Sequence, residues 1–362
     1  MEKLSYQIHP KIHCKEYENN FEFLSPEKRT RLGVIQVILK LIGFEIEEEC
    51  YLIGRLEIVK SQTYLNKLVS QIPWITYRKG MKSINGYKSD EGWGCMIRVA
   101  QMMCAHAFVK HNQYRFNEFT IQQHFETILP LFLDNGEDFE APMSIRNILK
   151  VGKEIIDKGP GQWYGAHSIS QVMKEVHLMY NTHIEKTLGF VTFNEGVVYK
   201  SDLINEDPEN DRSFLISIPL RVGLEKVDKA YIPQLKEVLL YPDCIGILGG
   251  KRHAAMYYIG FNRSGVLTLD PHTTQKCVNE ITEETLKTYR TIKHKHLKWH
   301  QLDTTMAFCF YLNNEESVEK FIQTISLWKE LFPDDYLIGL RDSKAPMPID
   351  IEGEIEDDFE IL

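Results

Sequence analysis

The chain has 362 residues, of which 43% are hydrophobic and 26% charged; these globular proportions exclude wholesale disorder and suffice for one large domain or two ordinary ones. Its formal charge is −9. Seven acids crowd into 350–362 with no Lys or Arg, so the body is nearly neutral and offers no basic face for nucleic acid.

The opening Met1-Glu2-Lys3-Leu4-Ser5 carries no apolar segment of the signal-peptide kind, and no run approaches the ~20 apolar residues of a membrane span. Apolar positions at helical spacing predict a helix over 29–43. A second is expected over 95–110, opening at Cys95, where Met96, Val99, Met102, Met103 and Ala107 recur every three or four residues. Further helices are expected at 119–133, 144–157, 168–180, 229–241 and 315–330. Runs rich in Ile, Phe and Tyr predict strands at 214–219, 244–248, 256–261, 266–269 and 306–312. Between the halves, 205–212 reads as a solvent loop. Helices in the first half and closely spaced strands in the second point to an α+β fold, with helices on a mixed or antiparallel sheet.

The seven cysteines are scattered and include no C-x-x-C pair. That argues against a zinc ribbon or a disulfide framework and for a reducing, cytoplasmic setting. No metal and no cofactor is expected. His106 and His177 sit in helical patterns and His294, His296 and His300 in a basic run, without metal-ligand spacing. Gly249-Gly250-Lys251 lacks the full spacing of a phosphate loop, so nucleotide binding is rejected.

Cys95 follows Gly92-Trp93-Gly94 at a helix start, where the dipole and a neighbouring imidazolium lower a thiol's pKa. The two glycines allow a tight turn and close approach of a substrate backbone, and the Cys95 amide would face a forming oxyanion. The alternative is a packed core cysteine. Far downstream, Asp270-Pro271-His272 places a carboxylate and an imidazole on one side of an extended segment. A strand-end turn capped by Asp270 is the competing reading. Taken with Cys95, the pair supplies nucleophile, base and orienting acid.

Six ordered segments resemble one family. They are Thr76-Tyr77-Arg78-Lys79, Gly92-Trp93-Gly94-Cys95-Met96, Gly161-Gln162-Trp163-Tyr164-Gly165, Ile218-Pro219-Leu220-Arg221, Gly249-Gly250-Lys251 and Leu269-Asp270-Pro271-His272-Thr273-Thr274-Gln275. Together they resemble the autophagins, the autophagy-related protein 4 cysteine peptidases, over roughly 52–340. The resemblance implies a papain-like fold with a central, mainly antiparallel sheet flanked by helices and a smaller added subdomain. It also implies a Cys95–His272–Asp270 triad, Tyr77 in the oxyanion hole, and Trp163 with the Lys251-Arg252-His253 loop as substrate gate. The implied substrate is a ubiquitin-like autophagy modifier of the autophagy-related protein 8 type, as soluble precursor and phosphatidylethanolamine-linked form; a catalytically weak, modifier-binding homologue is the alternative. Arg252 stands where relatives often carry proline, and Met256 where they carry histidine. The expected division is an N-terminal extension (1–47), a peptidase domain (48–341) and an acidic tail (342–362). In that tail Phe359 and Leu362 match the spacing of a motif that adds a strand to the modifier.

Overall fold

The computed structural model describes residues 49–344 except 56–57, 60, 137, 181–186, 195, 205–211 and 252–253. The expected helix at 29–43, the tail with Phe359 and Leu362, Arg252, His253 and nearly all of the 205–212 loop lie outside the described residues.

In chain order the elements are β1 (Cys50–Leu52), α1 (Gln62–Val69), β2 (Arg78–Ile84), β3 (Tyr87–Ser89), α2 (Cys95–Arg115), α3 (Ile121–Ile128), α4 (Ile145–Ile156), α5 (Ala166–Tyr180), β4 (Leu188–Thr192), β5 (Val197–Tyr199), β6 (Ser213–Arg221), α6 (Ile232–Leu240), β7 (Cys244–Lys251), β8 (Ala254–Asn262), β9 (Gly265–Leu269), β10 (Gln275–Lys276), α7 (Glu283–Leu286), β11 (Lys295–Lys298), β12 (Thr305–Leu312), α8 (Glu315–Leu331) and β13 (Gly339–Arg341). The main sheet runs β11-β9-β8-β7-β12-β6-β4, with β1 added to β8. Every join is antiparallel except β4 to β6. The class is therefore the expected α+β, with a mainly antiparallel sheet between helices.

The central strands are buried along nearly their whole length. A strand covered on both faces reads as a continuous apolar run, which is why these four, and the equally buried β9, were visible in the sequence. Helices α2 and α5 pack on each other and on the sheet. Around Tyr241, Phe310, Phe321 and Trp328, helices α6 and α8 add an aromatic cluster to the cover.

Three differences from the expected elements have local causes. The helix expected over 119–133 ends at Ile128, and a 3₁₀ turn with Pro130 near its start follows. The helix expected at 229–241 likewise begins with a 3₁₀ turn, Lys229–Tyr231, before α6. Strands β2 and β3 went unexpected because Arg78–Ile84 is mostly polar. Their joining residues, Asn85 (φ 48) and Gly86 (φ 91), form the two-residue turn that matches strand twist.

Candidate active site

Cys95 opens α2 and is buried. The turn that delivers it is specified by two glycines with different jobs. Gly92 has φ +87, where a side chain would be strained. A Cβ on Gly94 would lie 2.6 Å from Asp90 Oδ2, so only glycine leaves room for the carboxylate under the turn. The Asp90 carbonyl accepts from the amides of Gly94 (2.8 Å) and Trp93 (3.3 Å). Its carboxylate accepts from the Arg78 amide and from Arg98 Nε, both at 2.7 Å.

Arg98 lies one turn beyond Cys95 and also donates to Asp134 (2.8 Å) and Gln101 (3.0 Å). Arg78 lies over the Tyr289 ring at 4.5 Å, with Nε 3.9 Å from Asp134. All four charged side chains are buried. Two cations and two anions balance, which is what makes their desolvation tolerable.

The second half of the site follows β9. Asp270 Oδ1 accepts from His272 Nδ1 and from the His272 amide, the latter at 3.0 Å. Oδ2 pairs with Lys295 on β11, and the Asp270 carbonyl accepts from Trp74 Nε1 at 2.9 Å. The Tyr77 amide donates to the Pro271 carbonyl (3.0 Å), and the Gln275 amide to the Tyr77 carbonyl (2.9 Å). This ladder continues into the parallel β2–β10 pairing. It fastens the histidine segment to the strand that precedes Cys95. The Tyr77 ring meets the His272 ring edge-on, centroids 5.4 Å apart.

Electrostatics in the site run in one direction. Burial pushes the Cys95 thiol up, but hydrogen bonds from His272, the Ala255 backbone and Tyr77, with the imidazolium charge, more than offset it and leave the thiol below its ordinary value. His272 is raised to about 9, first by its bond to Asp270 and then by Cys95, against desolvation. Asp270 is desolvated, yet the bonds from His272 and Lys295 hold it well below the usual carboxylate range. Tyr77 is pushed far up by burial and by the neighbouring Cys95, so its hydroxyl stays protonated and able to donate. With His272 Nδ1 engaged by Asp270, Nε2 is left for Cys95. The arrangement can hold a thiolate–imidazolium pair at neutral pH beside a hydroxyl donor and a helix N-terminus.

The model of the peptidase C54 catalytic domain matches residues 62–324. The chain belongs to the peptidase C54 family. It is similar to cysteine protease ATG4B of Xenopus laevis, 28% identical over 316 residues that cover 78% of this chain and 80% of that protein. It is 26% identical to cysteine protease ATG4A of Homo sapiens over 80% of this chain and 81% of that one. The probable cysteine protease ATG4 of the yeast Vanderwaltozyma polyspora shares 24% over 88% and 75% respectively. The C54 chain is thus a cysteine-type peptidase with a papain-like α+β fold.

In this C54 peptidase, Trp163 is 43% exposed on the loop before α5. Its neighbour Tyr164 is buried and donates to the Lys158 carbonyl at 2.8 Å, while Lys158 Nζ donates back to the Trp163 carbonyl at 2.8 Å. Gly161, with φ +80, packs so tightly on Tyr87 that a Cβ would lie 2.3 Å from the Tyr87 hydroxyl. Tyr87 meets Trp93 edge-on at 5.7 Å. The Trp163 loop is thereby tied to the turn that leads to Cys95.

Lys251 is exposed at the end of β7, paired with Ala254 across the hairpin. The adjacent Ala255 supplies the backbone bond to Cys95. Gly249-Gly250-Lys251 closes a strand rather than opening a helix, so its geometry is not that of a phosphate loop. Met256 is buried, its sulfur 3.4 Å from Thr268 Oγ1.

Sequence reading missed the supports of the site: Arg78, Asp90, Arg98, Asp134, Trp74 and Lys295. One signal was present. Arg98 interrupts an apolar stretch, Ile97-Arg98-Val99, three residues after Cys95 on the same helix face. A charge set into a buried helix face demands a partner. For Lys295, set in a basic run of ordinary surface character, no such signal exists.

Proposed function

We propose that this thiol peptidase cleaves a ubiquitin-like autophagy modifier after its C-terminal glycine, both in the soluble precursor and in the form amide-linked to phosphatidylethanolamine, in the cytoplasm. The observation that carries the chemistry is His272 bridging Cys95 and Asp270. The substrate assignment leans on similarity to relatives named ATG4.

In the first half-reaction the Cys95 thiolate attacks the glycine carbonyl, and the oxyanion is held by the Cys95 amide and the Tyr77 hydroxyl. His272 gives its proton to the leaving amine as the C–N bond breaks, leaving a thioester. It then takes a proton from water, whose oxygen attacks the thioester and frees the glycine carboxylate and Cys95. Asp270 keeps the imidazole oriented throughout. Trp163 and the Lys251–His253 segment form the gate over a tail without side chains, and Phe359 and Leu362 recruit the modifier.

Incubation with a modifier extended past its glycine tests this. Wild type is expected to release the extension, and Cys95→Ser to lose at least ~10³-fold in rate. Equal cleavage by that variant, or none by wild type, refutes the enzyme reading and favours a modifier-binding module. Combined Phe359→Ala and Leu362→Ala is expected to weaken binding of the intact modifier about five- to twentyfold, measured by titration.

A further inference from the structure

We propose that Lys295 is a positioning residue of this active site: from the edge strand β11 it fixes the free oxygen of Asp270 and so holds the His272 imidazole in line with Cys95. The inference rests on the triad reading above and adds a fourth member to it.

Asp270 divides its two oxygens. Oδ1 serves the side chain and amide of His272, which restrain one side of the carboxylate but leave it some freedom to rock about its last bond. Lys295 Nζ engages Oδ2 and removes that freedom. The lysine is placed by backbone, since Lys295 pairs with Thr268 across the β9–β11 ladder, two residues before Asp270. Thr268 Oγ1 also donates to the Lys295 carbonyl at 3.3 Å. Trp74 fixes the main chain of Asp270 from the other side. The ionisable groups facing this unit are His272 and Lys295 on Asp270, Asp270 and Cys95 on His272, and His272 and Tyr77 on Cys95.

The Lys295 side chain is 61% exposed, and a pair with one partner in solvent contributes little to folding. Its effect therefore belongs in catalysis. Removing the cation lets the carboxylate rotate, which lowers turnover. The loss also leaves the Asp270 charge unshared on the His272 imidazolium, so the base limb of the pH profile moves up.

The test uses Lys295→Met and Lys295→Arg in the full chain, with a short glycine-tailed substrate. Lys295→Met is expected to lower kcat about three- to tenfold, with KM within about twofold and the base limb raised by a few tenths of a pH unit. Lys295→Arg is expected to recover most of the loss. In an Asp270→Asn background, Lys295→Met is expected to cost nothing further. Unchanged kcat, a change in KM alone, or an equal cost in the Asp270→Asn background would overturn the proposal. Failure of the underlying triad looks different, since Cys95→Ser would then retain wild-type cleavage whatever stands at 295.

Discussion

The proposed nucleophile and its proposed base are supported in opposite ways. Cys95 stands on a buried, charge-balanced set of Arg78, Asp90, Arg98 and Asp134, reached by a turn where a side chain would be strained at Gly92 and crowded at Gly94. His272 is held by a partly exposed carboxylate, a largely exposed lysine and one indole N–H. Interior ion pairs are screened little by salt and cost much when broken, whereas partly exposed ones are cheap to break and feel solvent. Substitutions beneath the nucleophile should therefore register as lost stability, and those around the base as lost turnover.

The sharpest contrast comes from Asp270→Asn. It should lower kcat by about 10²- to 10⁴-fold, because the wrong histidine tautomer is then favoured, while the melting temperature stays within a few degrees of wild type. A fall in stability to match the loss of rate would erase the distinction between the halves. Next in size, Arg98→Met leaves Asp90 and Asp134 buried without their shared cation and should cost about 3–5 kcal/mol in denaturant unfolding. Folded Arg98→Met with unchanged stability would show the network to be dispensable.

The smallest effect is a pH signature of the base half. His272 is raised from about 6.5 to about 9 on folding. Its contribution is fully present below pH 6.5 and is lost as pH rises through about 9. The melting-temperature advantage of wild type over His272→Gln should therefore be larger at pH 6 than at pH 10. An advantage that grows with pH would contradict the assigned direction. Asp270 works oppositely, stabilising above its unfolded pKa and losing that contribution in acid.

What could be read from the sequence follows the same division of physical cause. Long, doubly covered strands such as Ser213–Arg221 and the buried helix Cys95–Arg115 announce themselves through apolar runs and spacing. Cys95, Asp270 and His272 were legible because their chemistry demands particular neighbours. The roles proposed for Tyr77 and Trp163 come only from likeness to a family, since a lone aromatic reads as core. Strands β2 and β11 stayed hidden because their residues are mostly polar, so neither shows an apolar run. Lys295 stayed hidden for the same reason. His106 illustrates the plain default, being a core histidine bonded to the Ile245 carbonyl and Tyr257.

The bond from Trp74 to the Asp270 carbonyl spans 196 positions of sequence, and the β2–β10 ladder closes over a similar length. Loops of that size close late in folding, after local helices and hairpins have formed. On the ribosome, Cys95 would emerge and enter its helix long before its base exists as polypeptide. A nascent or truncated chain therefore carries a nucleophile without a proton acceptor. Proteolytic competence therefore requires a chain that extends at least through the Asp270–His272 segment.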